Sequence, residues 1–229
     1  LTGGPALLSW SGSMFEYLMP SLVLHTPDGS LLDFTCKRVI QHQIEYAQGS
    51  TPWGISESAF YVRDRAFTYQ YADFGVPGLG LKRGLEQDRV IAPYATALAA
   101  MYDVHAALAN FRELDSIGGC GRFGYFEALD FTPERLPEGQ SMAVVRAYMA
   151  HHQGMSLVAL ANTIFQGIMR HRFHREPMIK AIEILLQERS HDAAPAPLVQ
   201  PAAERRIRAA QIDPRNARRF KSPHTAVPA

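Results

Sequence analysis

Cysteine is nearly absent: Cys36 and Cys120 are the only two in 229 residues, and they stand far apart. Such a pair gives no disulfide framework, which excludes a cystine-stapled scaffold and makes a reducing compartment the expected setting. No apolar run approaches the ~18 residues that mark a membrane span, and the first residues lack the basic and apolar regions of a secretory signal peptide. A dominant charge is missing too, since 23 Lys and Arg offset 22 Asp and Glu. That balance conceals a basic end, because residues 203–229 carry Arg205, Arg206, Arg208, Arg215, Arg218, Arg219 and Lys221 against Glu204 and Asp213. With Phe220 as its one aromatic and no reading motif, this end is expected to be a solvated linker rather than a nucleic-acid contact. Also lacking are a Gly-x-Ser-x-Gly elbow and the His-Glu-x-x-His spacing of a zinc hydrolase, so neither a serine hydrolase nor a metal site is expected. His171 and His174 stand among Arg170, Arg172 and Arg175, which would repel a cation.

What is present is a globular composition, 47% hydrophobic, with helical periodicity dominant. Leu32, Cys36, Val39, Ile40, Ile44 and Ala47 recur at spacings of three and four before Gly49, predicting a helix with a glycine stop. Tyr94, Leu98, Met101, Leu108, Phe111 and Leu114 predict another, opened by Pro93 and closed before Gly118. Residues 141–166 are apolar around the whole circumference and predict a central, mostly buried helix. Pro177 opens a further helix, and a shorter one near Met14 is interrupted at Pro20. The two longest connections, residues 49–94 and 118–140, hold most of the unusual residues. Phe67, Tyr69 and Tyr71, like Phe123 and Tyr125, alternate with period two and predict short strands at a rim. After His191 the Ala-Ala-Pro-Ala-Pro run ends the packed region, giving a domain over residues 1–190 and an Ala/Pro-rich basic linker over 191–229. The opening Leu1 and early helical pattern read as an internal piece of a larger protein.

The connections carry the candidate chemistry. Glu57, in Trp53-Gly54-Ile55-Ser56-Glu57-Ser58 and just before Phe60 and Tyr61, is a carboxylate among aromatics, a setting that tunes proton affinity. A helix-capping role for the same segment is the plain alternative. Glu16 can close a capping box with Ser13, or serve as a second carboxylate beside Trp10 and Phe15. Glu127 has aromatic company in Gly124-Tyr125-Phe126-Glu127, with a salt bridge to Arg122 as its structural alternative. His151, His152 and Gln153 interrupt an apolar helix and need polar partners. The glycine-rich residues 75–84 lack the ending of a phosphate loop and read as flexible turns. Flat aromatic faces beside isolated carboxylates suit a polyhydroxylated ring, so a carbohydrate site is expected.

Taken in order, Ser9-Trp10-Ser11-Gly12-Ser13-Met14-Phe15-Glu16-Tyr17, Pro52-Trp53-Gly54-Ile55-Ser56-Glu57-Ser58, Ala92-Pro93-Tyr94, Gly121-Arg122-Phe123-Gly124-Tyr125-Phe126-Glu127 and Met149-Ala150-His151-His152-Gln153-Gly154-Met155-Ser156 resemble the glucoamylase-like domain of cyclic β-1,2-glucan synthases. The resemblance spans roughly residues 1–190. It implies an all-α chain forming about half of an (α/α)6 toroid, with long loops and short strands at the rim, and transglycosylation that closes linear β-1,2-glucan into a ring. Glu57 is then the expected nucleophile, with the acid/base carboxyl at Glu16 or beyond the chain. Trp10, Trp53, Tyr61, Tyr125, Glu127, His151, His152 and Gln153 are the expected sugar contacts. A β-1,2-glucan hydrolase of the same fold and a catalytically silent glucan-binding module are the alternatives. No metal or organic cofactor is implied. The partners implied are β-1,2-glucan and the glycosyltransferase and carbohydrate-phosphorylase-like regions of one polypeptide, with no nucleic acid. The segment itself stays out of the lipid, on the cytoplasmic side of a bacterial inner membrane.

Overall fold

A computed structural model describes residues 6–47 and 49–188. The expected linker over 191–229 lies outside the described residues. The described part is mostly helical, with three small antiparallel sheets set into the connections.

Helix α1 (Met14–Leu18) runs into a 3₁₀ turn at Met19–Leu22, where Pro20 takes a position that needs no N–H donor. Helix α2 (Leu31–Ala47) ends where its apolar period ends, and Val39 and Ile40 are buried in the core. The chain then enters a hairpin of β1 (Ser58–Arg63) and β2 (Tyr69–Ala72), paired with Ala59 opposite Tyr71. Asp64 closes its turn, its Oδ1 accepting from the N–H groups of Ala66 and Thr68 at 2.8 and 2.9 Å. Strands β3 (Val90–Ile91), β6 (Ala128–Asp130) and β7 (Ala143–Val145) form the second sheet, and β4 (Cys120–Gly121) pairs with β5 (Gly124–Tyr125) in the third. Helices α3 (Pro93–Ala99), α4 (Val104–Ser116) and α5 (Ala150–Ile164) pack together, followed by the short α6 (Ile168–Phe173) and α7 (Pro177–Ile182). Among the described residues, no helix is long and apolar enough to cross a membrane.

Three expectations need correction. The helix predicted from Tyr94 to Leu114 is two, because Asp103 turns extended and its carboxylate caps the N–H of Ala106 at 2.9 Å, starting α4 afresh. Residues 141–166 are not one buried helix. Their first part is β7, whose Val144 pairs with Leu129, and in α5 only His152, Ala159 and Asn162 are buried while Leu157 and Ile164 are 70% and 67% exposed. One face of α5 packs on α3, and Leu157 and Ile164 stand on the side turned to solvent.

The glycine-rich run is no flexible turn either. It lies along residues 9–12, with Val76 N–H donating to Gly12 O at 3.2 Å and Lys82 N–H to Trp10 O at 2.8 Å, and with Val76 and Leu79 fully buried. A Cβ on Gly75 would stand 1.8 Å from the carbonyl oxygen of Ser11, so the two backbones meet at a distance only glycine permits.

Candidate active site

The Trp53 to Glu57 segment is held by two buried carboxamides. Gln43 of α2 bonds Ile55 on both sides, donating from Nε2 to its O and accepting its N–H at Oε1, each at 2.9 Å. Asn110 of α4 accepts the N–H of Trp53 at 3.0 Å and donates to its O at 2.8 Å and to Thr96 Oγ1 at 2.7 Å. Between them Gly54 takes φ +117°, a conformation that L side chains rarely adopt. The N–H of Phe15 donates to Ser56 Oγ at 2.9 Å, and the Tyr94 hydroxyl lies 2.8 Å from the same oxygen while donating to Glu57 O at 2.9 Å. An extended segment buried this deeply would otherwise leave its peptide groups unpaired.

Glu57 emerges half-buried at the start of β1. The Tyr71 hydroxyl of β2 donates to its Oε1 at 2.8 Å and lies 3.3 Å from His152 Nε2. The other ring nitrogen of His152, Nδ1, sits 2.8 Å from Glu127 Oε1, both side chains being essentially inaccessible to solvent. Glu127 Oε1 also accepts the N–H of Ala59 at 3.2 Å, and its Oε2 has no partner. Tyr94 stacks on His152 with ring centroids 3.8 Å apart and planes 12° from parallel. Burial, reinforced by the bond to Glu57, raises the Tyr71 pKa, and burial raises that of Tyr94 well above its usual value, so both hydroxyls stay protonated donors. His151, exposed beside His152, has a lowered pKa through partial burial and the neighbouring imidazole, opposed by the Glu127 and Glu57 carboxylates.

Tyr94 and His152 also line a cavity of about 470 Å³, together with Glu127, Tyr125, Gln153 and Phe111. Tyr125 is fixed by its hydroxyl on Phe111 O at 3.0 Å, and Gln153 Nε2 donates to Tyr125 O at 3.3 Å. Four of the eight expected sugar contacts, Tyr125, Glu127, His152 and Gln153, thus border one hollow. The others lie elsewhere. Trp53 is 7% exposed, its ring part of the core, whereas Trp10 is 63% exposed, and Tyr61 of β1 sits half-buried against Tyr69. Glu127 pairs with His152, not with Arg122. Among the described residues, no group of three or more His, Cys, Asp or Glu is arranged to hold a metal ion.

Glu16 takes the structural alternative. It completes the capping box with Ser13, and its Oε2 accepts from Ser9 Oγ at 2.7 Å, Ser11 Oγ at 2.6 Å and Ser11 N–H at 3.0 Å. Burial raises its pKa, but the bonds from Ser11, Ser9 and Ser13 together outweigh it and the net shift is downward. A carboxylate so bonded is a poor proton donor. Because the folded pKa is lowered, Glu16 adds stability that is complete above the ordinary value of 4.5 and is lost as pH falls through the lowered value. Glu16→Gln should therefore flatten the fall of Tm on acidification below that point, as followed by thermal unfolding monitored by circular dichroism.

Sequence reasoning missed Gln43, Asn110 and the bonds from Tyr71 to Glu57 and His152. The two amides did leave a signal, because Gln43 falls on the apolar face of α2 and Asn110 on that of α4, where a polar side chain must find a buried partner.

A mostly helical chain with a carboxylate site on the connections between its helices is the class these observations define. The chain belongs to the family described as "Glycoamylase: Putative glucoamylase", whose model matches residues 2–177. It is 58% identical over 186 residues to the cyclic beta-(1,2)-glucan synthase NdvB of Rhizobium meliloti, covering 81% of this chain and 7% of that protein. Its fold is like that of an endo-beta-1,2-glucanase from Chitinophaga pinensis in complex with sophorotriose and glucose (TM-score 0.53, 17% identity, 78% of this chain and 41% of that one). It is also like that of a "putative glucoamylase" from Bacteroides caccae (TM-score 0.53, 19% identity, 77% and 41%). The chain thus spans less than half the length of these structures and a small part of the synthase.

Proposed function

We propose that this chain is part of a carbohydrate-active domain that acts on β-1,2-glucan by a retaining carboxylate mechanism and closes the linear glucan into a ring. The observation that carries the reading is the half-buried Glu57 carboxylate, held by Tyr71 at the end of a clamped segment. The similarity to the synthase supports β-1,2-glucan as the substrate and cyclisation as the outcome. The fold is read as about half of an (α/α)6 toroid, and the intact protein as membrane-associated on the cytoplasmic side, with glycosyltransferase and phosphorylase-like regions.

In the mechanism, a Glu57 oxygen attacks the anomeric carbon as the glycosidic bond breaks, and the departing oxygen takes a proton from an acid/base carboxyl. The terminal hydroxyl of the same glucan then attacks that carbon, releasing Glu57 and returning its proton to the acid/base group. In this reading the second carboxyl lies outside the described residues, since the oxygens of Glu16 are taken up by serines. Trp10, Tyr61, Tyr125, His151 and Gln153 are the groups assigned to bind sugar. The chemistry needs no metal or organic cofactor.

The likeness to an endo-beta-1,2-glucanase favours hydrolysis as the second reading. Linear β-1,2-glucan incubated with the intact protein, followed by mass analysis, separates the cases. A product one water lighter than a linear glucan of the same number of glucose units, formed together with the shorter linear glucan that departs, supports ring closure. Shorter linear sugars alone overturn it in favour of hydrolysis, and binding without turnover overturns both.

A further inference from the structure

Glu127, His152 and Tyr71 come from three separate elements and form an unbroken hydrogen-bonded line ending on Glu57: Glu127 Oε1 to His152 Nδ1 at 2.8 Å, His152 Nε2 to the Tyr71 hydroxyl at 3.3 Å, and that hydroxyl to Glu57 Oε1 at 2.8 Å. We propose that these three residues are a proton relay that sets the charge of Glu57, positioning it for catalysis without touching the sugar. The inference rests on Glu57 as the reacting carboxylate.

The donors and acceptors allow two arrangements. An ionised carboxylate only accepts, so His152 Nδ1 carries a proton towards Glu127. In the first arrangement Tyr71 gives its single proton to Glu57, and its oxygen accepts from a protonated Nε2. In the second, the Nε2 proton has moved to the tyrosine oxygen and the tyrosine proton to Glu57, leaving a neutral imidazole that accepts from Tyr71. Two protons move one step each, no heavy atom moves, and the net charge of the four groups is unchanged. Glu57 can thus be ionised for attack or neutralised without the site gaining or losing charge, which beside the buried pair of Glu127 and His152 would be costly.

The surroundings fit the first arrangement. Tyr94 stacks on the His152 ring, and the Glu127 carboxylate, with Oε2 unpartnered, directs its bonding at His152 and Ala59. The raised pKa of Tyr71 keeps it a hydroxyl throughout. The titratable groups facing Glu57 and this line are Tyr71, Tyr94, His151, His152 and Glu127.

The test is steady-state kinetics of the intact protein on linear β-1,2-glucan. Tyr71→Phe keeps the ring of a side chain that is 41% exposed and removes only the hydroxyl. Glu127→Gln keeps shape and one acceptor. Each should lower kcat about 10- to 100-fold, the usual loss when a partner behind a reacting group is removed, with KM unchanged and Tm close to wild type. A group that binds sugar would instead raise KM. Wild-type kcat in Tyr71→Phe, or a change confined to KM in both variants, overturns the relay while inactivity of Glu57→Gln upholds the nucleophile. Full activity of Glu57→Gln removes the nucleophile and the relay together.

Discussion

Glu57→Gln is expected to lower the turnover of β-1,2-glucan by the intact protein by about 10³-fold or more, a loss within the range for deleting a group that acts in the chemical step. The amide matches the carboxylate in size and can still accept from Tyr71, so the segment should keep its place and KM should change little. A fall in kcat with unchanged KM marks an interaction made in the transition state. Measuring initial rates and quantifying released or cyclised glucan checks this, and a rate within a few-fold of wild type would exclude Glu57 from bond making. Because Gln43 and Asn110 grip the backbone rather than the glutamate, a loss of stability is not the expected outcome.

The second large effect concerns stability. Gly75→Ala places a methyl group 1.8 Å from the Ser11 carbonyl oxygen and 2.7 Å from backbone carbons of Ser11 and Gly12. Backbone cannot yield as a flexible side chain can, so the two strands of chain must separate. A cost of about 3 kcal/mol is expected, the upper part of the range for overpacking, or roughly 6 to 12 °C in Tm. Activity should fall as well, because Ser11 bonds Glu16 and the helix that Glu16 caps donates to Ser56, next to Glu57. Gly154→Ala is the contrast, since nothing stands within 4 Å of its added carbon and it lies inside α5. There the same substitution should stabilise by up to about 1 kcal/mol through helix propensity. Thermal melts of both variants give the comparison, and equal melts would contradict the close-contact argument.

What could be read from residues alone follows from the range of the forces involved. Helix α2 was readable because its period and Gly49 are local signals. The break between α3 and α4 was not, because Leu98, Met101 and Leu108 stay in phase across it and one capping carboxylate decides the matter. Val144 and Val145 suit a buried helix and a central strand equally, and the choice came from pairing with β6. At the site, Glu57, Glu127 and His152 stood out by residue type and company. That Glu127 and His152 serve one another could not be seen, since 25 residues separate them in sequence. Tyr71 looked like one member of an alternating strand, because its bonds to Glu57 and His152 depend on which partner the hairpin folds against. The glycine run was misread because glycine signals mobility and close approach with the same letter.

The carboxamides of Gln43 and Asn110 have a further consequence for how this protein responds to acidity. Neither gains nor loses a proton in water near neutrality, so their grip on the peptide that carries Glu57 does not titrate. Above the range in which Glu16 takes up its proton, a bell-shaped rate profile would then be a titration of the reacting groups themselves, with no contribution from the hold of these two amides.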